Sequence, residues 1–106
     1  MDDDPRVAVL RAVPAALLAA DGTLDTALRR AAFERGGDRH GGTPLPEPLG
    51  RFVVKVTTEA YKVVDGDIEE LRAAGYSDDA ILEAVLATAA GAGLARLEIG
   101  LAALWP

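Results

Sequence analysis

The chain has 106 residues, half of them hydrophobic but only 5% aromatic, and no cysteine. That length holds one small domain, and the missing thiols exclude disulfides, cysteine-ligated zinc and dithiol redox chemistry. With 17 acidic against 11 basic residues, a formal net charge of -6 and one histidine, the sequence lacks the clustered cations of a nucleic-acid binder and offers little to a metal or other cofactor. The apolar mass is 21 alanines with leucine and valine, material for closely packed helices, so the expected class is all-α.

Met1 to Asp4 carries three consecutive acids where a secretory leader carries positive charge, and the apolar run 7–20 is broken by Arg11 and Pro14. The longest apolar-rich stretch, 84–95, contains Gly91 and Gly93 and is short for a bilayer, so the expectation is a cytoplasmic protein without a membrane partner. Asp4-Pro5 is a helix start, because the carboxylate accepts an orphan N–H and proline has none to leave unpaired. Pro14 ends that helix near Ala12, and a short helical piece follows from Pro14 to Ala19. Thr23 is the expected cap of the next helix, whose apolar positions Leu24, Ala27, Leu28, Ala31 and Ala32 share one face and whose stop is Gly36.

Residues 36–48, with four glycines and three prolines, read as the linker between two helical halves of a single domain spanning 1–106. The β-branched run after it looks locally like a strand. Leu49, Phe52, Val53, Val56, Ala60 and Val63 nevertheless follow a helical period, which predicts a helix over 49–64. Asp65-Gly66-Asp67 recaps the chain, and Asp67 with Glu70 is a capping pattern for a short helix from Ile68 to Ala74, ended by Gly75. Ser77, followed by two acids, caps a long last helix with Ile81, Leu82, Val85, Leu86 and Ala89 as its apolar face. Gly91-Ala92-Gly93 marks a hinge or a close contact in that helix. Trp105-Pro106 is expected to fray.

The run from Leu71 to Leu104 resembles the second half of the alkylhydroperoxidase D-like and carboxymuconolactone decarboxylase superfamily, through Arg72 to Gly75, Ser77, Ile81 and Arg96. The resemblance implies an AhpD-like helical bundle of about five to six helices that assembles into homo-oligomers. Redox members of the superfamily carry Cys-x-x-Cys-x-x-x-His upstream of the glycine. The matching positions here are Ala60, Val63 and Asp67, so the thiol site is missing and neither thiol peroxidase nor disulfide reductase activity is expected. In the decarboxylase branch a histidine does acid–base work, and Asp67 could replace it only with a raised pKa.

The densest polar group is Glu59, Tyr61, Lys62, Asp65 and Asp67. Brought together in a cavity, Asp67 or Glu59 could act as acid or base, with Tyr61 and Lys62 as its partners on a small anionic substrate. The alternative is that the aspartates cap helices, that Glu59 and Lys62 pair three residues apart on a solvated face, and that Tyr61 packs by its ring. His40, in the glycine-rich loop, is a minor candidate. Arg96 has no partner two residues away in Glu98, so it belongs to an ion pair from elsewhere, to a subunit interface, or to solvent. Ala84, Thr88, Ala92, Ala95 and Ala102 look suited to helix contacts between subunits. Two functions remain: an oligomeric small-molecule-binding or scaffold module, or a non-redox acid–base enzyme.

Overall fold

The computed structural model describes residues 12, 22–38 and 44–104. Beyond Ala12, the two expected N-terminal helices lie outside the described residues, as do His40 and Trp105-Pro106. Among the described residues there are four α-helices and no strand: α1 (Thr26–Gly36), α2 (Leu49–Thr58), α3 (Asp65–Ala73) and α4 (Asp78–Leu104), plus a 3-10 turn at Ala60–Lys62 between α2 and α3.

α1 starts later than Thr23. Its cap is Asp25, whose Oδ1 accepts from the Ala27 N–H at 2.8 Å. Thr23 is occupied elsewhere, because the Glu83 carboxylate reaches across from α4. Glu83 accepts from the Thr23 N–H (3.0 Å), the Thr23 hydroxyl (3.2 Å) and the Leu24 N–H (2.6 Å). One carboxylate thus ties the entry of α1 to the first turns of α4 and seats Leu24 in the core. The Leu24 N–H, with the Thr23 bonds and the Arg29 charge, holds the Glu83 pKa below its usual value against the opposing effect of burial.

The expected stop at Gly36 is where α1 ends, and its reason is tertiary as well as local. A methyl on Gly36 would overlap the Thr88 carbonyl of α4, and a methyl on Gly91 would overlap the Phe33 carbonyl of α1. The two helices cross backbone to backbone at this pair of glycines. Ala32 of α1 shares the core with Ala84 and Ala87 of α4, and the fully buried Thr88 has its hydroxyl satisfied by the Ala84 carbonyl at 2.7 Å. α4 is therefore continuous through Gly91-Ala92-Gly93. Gly91 is a close contact and no hinge is present.

α2 is shorter than the predicted 49–64. It ends at Thr58, where the hydroxyls of Thr57 and Thr58 bond back to the carbonyls of Val53 and Val54 and Glu59 leaves the helical region at φ -144, ψ 46. β-branched residues with hydroxyls that compete for backbone partners favour such a break. Leu49, Phe52 and Val53 still form the buried face, joined in the core by Leu71 of α3 and by Ala80 and Ile81 of α4. Fully burying leucines such as Leu49 and Leu71 contributes about 2–3 kcal/mol each.

α3 begins at Asp65, three residues earlier than expected, and Asp67 in its first turn reaches back to the Val64 N–H at 2.9 Å, the reverse half of a capping box. Glu70 plays no part in that cap and pairs with Arg51 of α2. Gly75, at φ +102, closes α3: its N–H bonds the Arg72 carbonyl and the Tyr76 N–H bonds the Leu71 carbonyl, a Schellman stop that requires a left-handed residue. The Ser77 Oγ then accepts from the Ala80 N–H at 3.1 Å and starts α4 as the sequence reading expects.

The buried face of α4 differs from the predicted one. Ile81 is buried, but its companions are Ala80, Ala84, Ala87, Thr88, Gly91 and Ala92, while Leu82 is 55% exposed, Leu86 50% and Ala89 exposed. The helix is apolar on every side, so periodicity in the sequence could not select the inner face, and closeness of packing to α1 selected the small residues instead. Ala84, Thr88 and Ala92, expected between subunits, are buried within the chain. By length and composition α4 could also cross a membrane, with a mean hydropathy of 1.5 over 18 residues, although the stretch 84–95 alone is short for one.

Candidate functional site

The polar residues between α2 and α3 are held by a break in the chain direction. Glu59 caps the end of α2 by donating its N–H to the Lys55 carbonyl at 2.8 Å, and the 3-10 turn closes with the Lys62 N–H on the Glu59 carbonyl at 2.8 Å. This brings the Lys62 ammonium to 2.6 Å from Glu59 Oε2 and 5.7 Å from the centre of the Tyr61 ring. Tyr61 is 82% exposed. Its ring does not enter the core, as packing by the ring would require, and lies under the lysine in a cation–π contact. Three of the four candidate residues thus form one solvated cluster.

Asp67 belongs to a different set. Its Oδ2 accepts from the Val64 N–H and from the Lys55 ammonium, both at 2.9 Å. Lys55 and Asp67 are about one-third and one-quarter exposed and lie beside Arg51, which bonds Glu47 and Glu70. These pairs fasten α2 to α3 around a cavity of about 200 Å³ lined by Pro48, Arg51, Phe52, Lys55, Asp67 and Glu70. The Val64 N–H first and the Lys55 ammonium second hold the Asp67 pKa below the ordinary carboxylate range. Asp67 is therefore ionised at neutral pH and poorly suited to donate a proton. Lys55, its actual partner, was missed by sequence reading because it lies twelve residues away on another helix.

The positions matching the superfamily's redox motif do not share a helix. Ala60 opens the 3-10 turn and is exposed, Val63 follows the turn and packs against the core, and Asp67 is on α3. Ala60 does line a second concavity, of about 360 Å³, with Val56, Val85, Ala89, Gly93 and Arg96. Apart from the Arg96 guanidinium its polar groups are the hydroxyls of Thr57 and Thr88, both already donating to carbonyls of their own helices. A third groove, of about 460 Å³, runs between the end of α1 and α2 and includes Arg35, Glu47, Arg51 and Lys55. Arg51 and Lys55 there are already engaged by carboxylates.

Among the described residues, no three histidine or carboxylate side chains stand close enough to hold a metal ion. Asp78, one of the acids at the start of α4, pairs with Arg72, whose guanidinium also meets Glu69. Those contacts lower the Asp78 pKa, chiefly through the Arg72 hydrogen bond. What this polar surface does chemically is fasten helices: each carboxylate with a lowered pKa is a cap or half of an inter-element pair. Comparison with family models, with curated proteins and with solved structures gives no match for the chain.

Proposed function

We propose that the protein is an oligomeric helical interaction module of the alkylhydroperoxidase D-like kind, without the thiol site and without acid–base chemistry of its own. The observation that carries this reading is the division of polar and apolar residues. The charged side chains that could have formed an active centre are engaged in caps and pairs, whereas α4 leaves Leu82, Leu86, Ile99 and Leu104 at least half exposed. Exposed apolar side chains gathered on one helix, with Leu82 and Leu86 a turn apart, are the mark of an association surface. The succession of Gly75 stop, Ser77 cap and long apolar helix supports the superfamily resemblance over Leu71 to Leu104. The close packing of the small-residue face of α4 on α1 supports reading α4 as the central helix of a water-soluble fold.

The competing reading, an acid–base enzyme on a small anionic substrate, needs a protonated carboxyl near neutrality. The lowered pKa of Asp67 and the wide exposure of Tyr61 favour the interaction module over it. A small-molecule ligand for the module would sit in the concavity beside Ala60 and Arg96. Sedimentation velocity of the full chain over a wide concentration range tests the proposal. Self-association with a concentration-dependent sedimentation coefficient is expected, and a monomer at every concentration contradicts it.

A further inference from the structure

We infer that α4 binds α4 of a second copy antiparallel, along the seam Asp79, Leu82, Leu86, Ala89, Gly93 and Arg96, in the register that sets Asp79 against Arg96 of the partner subunit. This inference rests on the self-association proposed above and adds the surface, the register and the symmetry. The six residues follow one another at alternating steps of three and four, the spacing of a coiled-coil seam, and all six are exposed. They lie on the side of α4 opposite Ala80, Ala84, Ala87 and Gly91, which are buried against the rest of the chain.

The seam is complementary to its own reverse. Turned end for end about the point between Ala87 and Thr88, it places Leu82 opposite Gly93, Leu86 opposite Ala89 and Asp79 opposite Arg96. Each leucine meets a small residue, and each end joins an acid to a base. A two-fold interface requires this reciprocity, since every contact must occur twice with the roles exchanged.

The structure supplies the space and the charges. A methyl on Gly93 would meet nothing nearby, so the surface there is open to the partner's Leu82. Neither Asp79 nor Arg96 has an ion pair within the chain among the described residues, although Asp78 next door does. From Asp79 to Arg96 the seam is about 25 Å long at the rise of an α-helix. Leu82 and Leu86, with Glu83 turned off the seam toward Thr23 and Leu24, give the pairing its apolar centre, and the two end pairs set its direction.

The test uses charge exchange in the full chain. Asp79→Arg puts like charges together at both ends of the seam, and Arg96→Asp does the same with the opposite sign. Each single variant is expected to raise the dissociation constant of the dimer on the order of tenfold or more, while an equal mixture of the two forms a heterodimer, identified by native mass spectrometry, with affinity near that of the parent. Gly93→Leu, which fills the notch, is expected to abolish the dimer without lowering the unfolding midpoint read by circular dichroism. If the parent self-associates but both single variants do so equally well, the seam is wrong and the interaction module survives. If the parent is monomeric throughout, both are wrong.

Discussion

Gly91 and Gly93 lie two residues apart on α4, one at the tightest point of the molecule and the other on open surface, and the same contrast runs along much of the helix. Where it touches α1 at backbone distance the inner face is made of alanine, glycine and threonine, while Ile81 joins the core nearer the start of the helix. The outer face carries Leu82 and Leu86, each about half exposed. The difference shows that at the crossing with α1 residue size, and not hydrophobicity, decides which side of this apolar helix faces inward: a leucine there would force α1 away, whereas glycine and alanine let two backbones meet.

Substitutions rank by the face they strike. The largest loss is expected for Gly36→Ala, which pushes its new methyl into the Thr88 carbonyl from the α1 side and cannot be relieved by a side-chain rotation. We expect about 3 kcal/mol or more of destabilisation, read by urea unfolding. Glu83→Ala comes next. It removes three hydrogen bonds to Thr23 and Leu24 and should cost about 1–3 kcal/mol, with faster amide exchange at Leu24 as the local signature.

Acid unfolding sharpens the same comparison. Glu83, Asp67 and Asp78 all have pKa values lowered in the folded chain. Their stabilising contribution is therefore present above the unfolded carboxylate values, about 4, and is lost as pH falls through that value toward the folded pKa of each group. Stability should fall below pH of about 4, and Glu83→Gln should flatten that limb. Asp67→Asn should have a smaller effect, confined to the junction of α2 and α3, and Glu69→Gln, in an exposed pair on one helix, should leave the thermal midpoint unchanged.

Much of this architecture was legible in the residues, for identifiable reasons. The Gly75 stop and the Ser77 cap with its two acids are local signals, and each acts within a turn of helix, whereas the Gly36 stop was legible although its reason is also tertiary. The Glu59–Lys62 pair is equally local, three residues apart. The early end of α2 was set locally by Thr57 and Thr58, and the other failures are those in which a distant partner decided the outcome. Thr23 lost its capping role to Asp25 because Glu83, sixty residues on, claimed its N–H and hydroxyl. Asp67 met Lys55 of α2 instead of joining Tyr61 and Lys62, since the chain breaks at Glu59 and the predicted single helix over 49–64 does not form. The inner face of α4 could not be read at all from periodicity, because a helix apolar on every side has no period to detect.

The most direct measurement is the urea midpoint of Gly91→Ala set beside that of Gly93→Ala, both at concentrations low enough to keep the chain monomeric. The two changes are chemically identical and two residues apart, and each replaces a helical glycine by a better helix former. The account predicts that Gly91→Ala falls far below the parent while Gly93→Ala equals or exceeds it by up to about 1 kcal/mol. Equal midpoints, or a greater loss at Gly93, would contradict the assignment of the two faces of α4.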